Sequence, residues 1–293
     1  MYKYTQCPVC LQTNFKEVLR VKDHTVSGET FSIVHCETCS FRFTNPVPTQ
    51  IAIGPYYQSE DYISHSNTNK GFINKAYQVV RKRTLKQKRK LVTNFSGKQT
   101  GKFLDIGAGT GAFLHTMKEA GWDTTGIEPD PGARQNAKEL WNLELRPAEE
   151  FYGLEENQFD VISMWHVLEH VHEMEAYLDK IHKLLKPGGK FLVAVPNYTS
   201  WDASKYQEVW AAYDVPRHLY HFSPKSVKHL SERKGFKFSG MKRMPFDSYY
   251  VSMLSEKYRN GNLVRAIWNG FCSNVASWSD KTKCSSLIYL IEK

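Results

Sequence analysis

The chain has 293 residues, 41% of them hydrophobic and 24% charged, with a formal net charge of +9. That length suits two domains or one large domain with an appendage, and the composition excludes a disordered chain and a fibrous repeat. No apolar run is long enough for a membrane span, and the start, MYKYTQCPVC, has no signal-peptide pattern, so a cytoplasmic location is expected. Seven of the basic residues fall between Arg81 and Lys90, where there is no acid. Without them the charge falls to +2, so the excess marks one segment and not a general field for nucleic acid.

Cys7-Pro8-Val9-Cys10 and Cys36-Glu37-Thr38-Cys39 are two cysteine pairs with 25 residues between them. A two-residue gap lets a tight turn aim both thiolates at one ion, and two such turns supply the four ligands of a closed structural Zn2+ site. Residues 1–45 resemble a zinc ribbon, with Glu17–Val21 and Thr30–Val34 as its short strands. Strands this short bury little core, so metal is expected to supply the folding energy, on the order of 10–16 kcal/mol in small peptides. Two disulfides are the alternative, which the missing secretion signal disfavours. A catalytic zinc would need an open position, and His35 is the adjacent spare ligand.

Residues 46–100 read as a linker and a basic helical cap. A polar stretch runs through Lys70, and helix formers dominate from Lys75 to Val92, with Tyr77, Val80, Thr84 and Leu91 along one stripe. The expectation is a solvated helix packed by that stripe; contact with RNA phosphates or an acidic substrate is the alternative. Lys102–Ile106 then reads as a buried strand, followed by Gly107-Ala108-Gly109-Thr110-Gly111 and a helix through Ala120. Such a loop brings main-chain N–H groups and a helix N-terminus up to a ligand. The glycines also satisfy the dinucleotide pattern, so they do not decide the cofactor. Asp105, two positions before the first glycine, would repel a pyrophosphate but suits the cationic methionine group of S-adenosylmethionine. Glu128, closing the strand Thr124–Ile127, can accept both hydroxyls of an adenosine ribose, a role that nicotinamide enzymes share.

Phe159–Met164 is the next strand, Trp165-His166-Val167-Leu168-Glu169-His170 follows it, and Leu184-Leu185-Lys186-Pro187-Gly188-Gly189 precedes the strand Phe191–Val195. Together with D-x-G-x-G-x-G, these segments resemble the class I S-adenosylmethionine-dependent methyltransferases over roughly 101–293, in the branch of ubiquinone-type and other small-molecule enzymes. The N-terminal cysteines and Tyr56-Tyr57 are also similar to those of zinc-bearing sugar C-methyltransferases. The resemblance implies an α/β, Rossmann-like, doubly wound sheet of seven strands, mostly parallel, with Ser285–Ile291 as a final antiparallel strand. It implies a methyltransferase domain over 101–293 with inserts at 197–222 and 244–283. It further implies that Asp105, Gly107, Gly109 and Gly111 line the methionine end, that Glu128 holds the ribose, that Glu149 lies near the adenine, and that Trp165 borders the cofactor.

On the acceptor side, His166 and His218 are the candidate bases. The first insert adds Tyr213, Arg217 and His221, which suit a pocket that stacks on a ring, clamps an anion and accepts a proton. In the second insert Tyr249, Tyr250, Met253, Leu254, Ile267 and Trp268 read as core packing, with a lid as the alternative, and Cys272 and Cys284 as buried small side chains. The segment after Met164 is not of the N-P-P-Y type, and no Pro-Cys follows Val195, which counts against two common nucleic-acid methylations. The expected acceptor is a small molecule, a sugar nucleotide or a glycan or lipid intermediate. RNA gripped by the ribbon and basic helix is the second reading, and a non-catalytic cofactor-binding module the third.

Overall fold

The computed structural model describes residues 1–58 and 72–293. The polar linker expected through Lys70 lies largely outside the described residues, as do the side chains of Tyr77 and Val80.

β1 (Phe15–Lys22), β2 (Thr30–Cys36) and β3 (Arg42–Thr44) form an antiparallel meander. A fourth strand joins it from far along the chain: β8 (Tyr220–His221) pairs on β3, with Phe43 opposite Tyr220 and Arg42 opposite His221. The first insert therefore completes the sheet of the cysteine module, a pairing that a two-residue strand gives too little pattern to reveal.

The central sheet alternates with helices as expected: β4 (Lys102–Ile106), α2 (Ala112–Lys118), β5 (Asp123–Ile127), α3 (Pro131–Trp141), β6 (Phe159–Trp165), α4 (Met174–Leu184) and β7 (Leu185–Pro196). After α5 (Trp201–Tyr206) and α6 (Pro224–Arg233) come β9 (Lys237–Arg243), α7 (Asp247–Tyr258), α8 (Leu263–Ser279) and β10 (Ser286–Glu292). The strand order is β5-β4-β6-β7-β10-β9, with β10 antiparallel to both neighbours and the β5-β4-β6-β7 run parallel. This corrects the expected seven strands to six among the described residues. Where a seventh would flank β5 there is a single parallel bridge, Ile127 to Arg146. α3 ends on Asn142 in the left-handed conformation, and Pro147, which has no N–H, stops the ladder five residues later.

Local chemistry sets the helix ends. The Asp130 carboxylate accepts the Ala133 N–H at 2.9 Å with Pro131 in the first turn, and Met174, Leu178, Ile181 and Leu184 turn the buried face of α4 to the sheet. On the other face, α1 (Phe72–Ser96) contributes Val92 to a core with Phe103, Phe113, Met117 and Leu192. The cysteine module has no separate interior: Cys7, Val34, Phe41 and Phe43 belong to the same apolar cluster as Leu104, Ile106, Met164 and Val193.

The second insert departs from the core-packing expectation. α7 and α8 meet through small residues: Ser248 Oγ donates to Gly270 O at 3.1 Å, and a Cβ on Gly270 would lie 2.7 Å from the Tyr249 ring. Ser273 and Ser277 are buried, whereas Ile267, Trp268, Tyr250 and Met253 are exposed, Trp268 by 63%. The close helix approach admits only small side chains, so the large ones point outward. Cys284 is buried as expected, but Cys272 is half-buried.

Candidate active site

The glycine loop leaves β4 with Gly107, Gly109 and Gly111 all at positive φ (72°, 54° and 76°), which is why glycine stands at each. A Cβ at Gly107 would sit 2.3 Å from Val167 Cγ2, while at Gly109 it would meet no atom within 4 Å, so the loop opens at Gly109. Glu128 follows β5 and closes the far side of that opening. Its Oε2 accepts the Gly109 N–H at 2.7 Å and its Oε1 accepts the Asp130 N–H at 3.0 Å, which leaves lone pairs on both oxygens. Burial pushes the Glu128 carboxyl above its ordinary range, against these two main-chain donors.

Asp105, at the end of β4, is 2% exposed and accepts the Ser163 hydroxyl from the neighbouring strand at 2.5 Å. Burial raises it to about 7, opposed by Ser163 and by the Lys88 charge. Lys88 corrects the expectation of a uniformly solvated basic run. Its ammonium lies 3.9 Å above the Trp165 ring, and burial lowers it to about 8, opposed by Asp105 and Asp247. With Leu91, Met244, Phe246, Asp247 and Ile288 it lines a cavity of about 160 Å³. The sign of this was in the sequence, since Lys88 stands four residues after Thr84 and three before Leu91, on the stripe that packs.

Trp165 ends β6, edge-on to Phe113, with its indole N–H buried and unbonded. His166 follows in the left-handed conformation (φ 57°). Its Nε2 is 3.0 Å from Asp247 and its Nδ1 3.5 Å from Glu169. Burial opposes the imidazolium, but the two carboxylates outweigh it and raise the ring to about 10. His166 is therefore a cation at neutral pH, a donor and not a proton acceptor.

His218 lies across from His170, their rings edge to face with centroids 4.6 Å apart. His218 Nδ1 is 2.9 Å from Ala212 O, and His170 Nδ1 is 3.1 Å from Arg217 O and 3.0 Å from the Tyr57 hydroxyl. Glu169 beside them is fully buried. The structure gathers Asp105, the glycines, Glu128, Trp165 and His166 at the carboxyl ends of the parallel strands, where open α/β sheets bind ligands.

Other expected site residues sit elsewhere. Arg217 is 1% exposed, and its guanidinium donates to Asp23 at 2.9 Å, to Asp214 at 2.6 Å and to Tyr56 O at 2.8 Å. It staples the cysteine module to the first insert and does not clamp an acceptor. Tyr213 accepts from Arg42 at 3.1 Å, and His221 Nε2 lies 3.1 Å from the Thr44 hydroxyl; both are buried at the seam between the module and the insert. Glu149 is exposed in the 3-10 turn Ala148–Gly153. Cys7, Cys10, Cys36 and Cys39 converge with all four sulfurs within 4.8 Å of one another and no disulfide between them. Sequence reasoning assigned no role to Lys88, Ser163, Glu169, His170 or Asp247.

Comparisons agree with this geometry. Residues 79–238 match a family model described as a methyltransferase domain. A demethylmenaquinone methyltransferase of Tropheryma whipplei is 29% identical over 135 residues, 44% of this chain and 56% of that protein. A ubiquinone biosynthesis O-methyltransferase of Aeromonas salmonicida is 36% identical over 115 residues, 36% of this chain and 48% of that protein. The chain thus spans about half the length of the curated relatives it matches. Among solved structures, the 1,6-didemethyltoxoflavin-N1-methyltransferase of Burkholderia thailandensis aligns over 93% of this chain and 99% of its own, with a TM-score of 0.51 and 16% identity. A putative sarcosine dimethylglycine methyltransferase from Galdieria sulphuraria aligns over 72% and 85%, with a TM-score of 0.52 and 16% identity. These structures share the fold, and the family model spans the glycine loop, Glu128 and the end of β6: the chain belongs to the methyltransferase domain family.

Proposed function

We propose that the protein is an S-adenosylmethionine-dependent methyltransferase acting on a small molecule. The observation that carries this is the pair of buried carboxylates, Asp105 and Glu128, on either side of a glycine loop that opens at Gly109. When bound, S-adenosylmethionine supplies an electrophilic methyl carbon with a neutral thioether as leaving group. The lone pairs left on Glu128 suit the ribose hydroxyls, and Asp105 meets the positive charge. Trp165 excludes water beside it, and the His166 cation, bonded through Nε2 to Asp247 with its Nδ1 side turned to Glu169, places a positive charge on the acceptor side. The wall formed by Glu169, His170 and His218 is where an acceptor gives up its proton.

A quinone-type small molecule, in keeping with relatives named for demethylmenaquinone and for ubiquinone biosynthesis, fits this reading better than RNA, because Lys88 of the basic run faces inward. The four thiols fit one zinc: at a Zn–S distance of about 2.3 Å a tetrahedron has S···S edges of about 3.8 Å, and two of the sulfur pairs stand at 3.6 and 3.4 Å. Four reduced thiols also accord with a cytoplasmic location. The same reading keeps 1–45 as the zinc module, 46–100 as the linker and cap, and 101–293 as the catalytic domain.

Glu128→Ala tests the cofactor assignment. S-adenosylhomocysteine affinity, measured by calorimetry, is expected to fall at least tenfold, about 1.4 kcal/mol. Unchanged affinity removes Glu128 from the ribose role and with it the main support for this cofactor.

A further inference from the structure

We infer that Glu169, His170 and His218 form a second metal site, distinct from the four-cysteine cluster, which takes a late first-row divalent cation such as Zn2+ through two imidazole nitrogens and one carboxylate. One donor atom from each residue lies within 4.8 Å of the others. The hydrogen bonding indicates which ring nitrogens are open to a cation. A carbonyl oxygen can only accept, so His218 Nδ1, 2.9 Å from Ala212 O, and His170 Nδ1, 3.1 Å from Arg217 O, are assigned the proton, with the Tyr57 hydroxyl 3.0 Å from His170 Nδ1 taking the acceptor role. That tautomer places the lone pair of each ring on Nε2, which at His218 lies 4.0 Å from Asp214 Oδ2. A ring N–H tied to a backbone carbonyl with the opposite nitrogen free is the arrangement in which proteins hold metal-binding histidines.

The carboxylate points the same way. Glu169 is fully buried, and neither of its oxygens has a hydrogen-bond partner. A buried acceptor without a donor is costly, and it is accounted for when a cation fills the place. His166 Nδ1, at 3.5 Å from Oε1, is beyond good hydrogen-bond geometry, and it is the other ring nitrogen, Nε2, that pairs with Asp247 at 3.0 Å.

The backbone holds the donors together. Leu219 N–H donates to Glu169 O at 2.8 Å, and the His170 ring reaches Arg217 O, so the turn after β6 and the loop before β8 are stitched at the cluster. Arg217, anchored on Asp23 and Asp214, fixes that loop from behind. Two nitrogens and one oxygen suit Zn2+, Co2+ or Fe2+ better than Mg2+ or Ca2+, and three protein donors leave coordination positions open. Those positions take an oxygen ligand. That the ligand is the methyl acceptor, a hydroxyl bound through oxygen that gives its proton to solvent when the cation lowers its pKa, rests on the function proposed above.

The test counts metal directly. Full-length protein dialysed against Zn2+ and analysed by plasma mass spectrometry is expected to hold two equivalents per chain. Glu169→Gln and His218→Gln should each weaken the second equivalent at least tenfold and leave the first in place. With Co2+ as probe, the cysteine site gives intense thiolate charge-transfer bands and the second site only weak ligand-field bands, and the variants should lose the latter alone. Circular dichroism and S-adenosylhomocysteine binding of the same variants report folding and the cofactor site. One equivalent in the wild type, or a second equivalent that survives both substitutions, overturns the site. Loss of cofactor binding in a wild-type protein that still holds two equivalents would instead overturn the methyltransferase reading.

Discussion

Asp105 is buried and Lys88 half-buried, and each is part of the charge that opposes the other's neutralisation. A carboxyl raised from 3.8 to about 7 holds more protons folded than unfolded between those values, so its contribution to stability falls as pH rises through that window. For a cationic ligand the consequence is the reverse. Below pH 7 Asp105 is neutral and gives a sulfonium little; above it the carboxylate is present, and as pH approaches 8 Lys88 also loses its competing charge. The ratio of S-adenosylmethionine to S-adenosylhomocysteine affinity is therefore expected to rise several-fold from pH 6 to pH 8, because only the former carries the sulfonium. Calorimetry of both ligands across that range measures it. Asp105→Asn should flatten the Asp105 part of the rise and Lys88→Met the part near 8. A flat ratio in the wild type means that Asp105 does not face the sulfonium.

The glycine loop shows how one element makes two different demands on the same residue type. Gly107 combines φ 72° with a Val167 methyl where a Cβ would go, whereas Gly109 has φ 54° and empty space. Gly109→Ala is expected to fold with a loss on the order of 1–2 kcal/mol from the left-handed backbone. Gly107→Ala should lose clearly more, because Val167 has to move as well. Equal urea midpoints for the two variants would show that Val167 yields freely. Elements of this kind were legible in the sequence because their signals are local: the glycines, the Asp130-Pro131 cap, and the apolar stripe of α4 lie within a few residues of what they specify. The features that were not legible depend on long-range contacts. β8 shows no period in two residues; Asp247 meets His166 across about eighty residues; and Arg217 reads equally well as an anion clamp or an ion pair until Asp23 is found beside it. The outward turn of Ile267 and Trp268 was hidden for a related reason, since helical spacing marks an apolar face but not whether a neighbour rich in serine and glycine has already occupied the opposite one.

At the scale of the whole molecule, the cysteine module is not a bead on a string. Its apolar residues share one core with the central sheet, β8 supplies its fourth strand, and the Asp23–Arg217–Asp214 staple crosses the same seam. A buried ion pair of this kind destabilises strongly when one partner is pulled away, because the other is left uncompensated. If one zinc holds the four thiols, its removal frees the turns at Cys7–Cys10 and Cys36–Cys39, and with them the C-terminal end of β2 and the packing of Phe41 and Phe43 against the main core. The loss should then spread across the seam to the loop that carries Arg217 and His218. Thermal melting followed both by far-ultraviolet circular dichroism and by tryptophan fluorescence, which includes Trp122 packed on Phe103 in the central core, is expected to give coincident transitions that shift down together when a chelator strips the metal. Two separated transitions, with the tryptophan signal melting at its original temperature, would mean that the module folds and unfolds on its own and that the shared core carries little of the coupling.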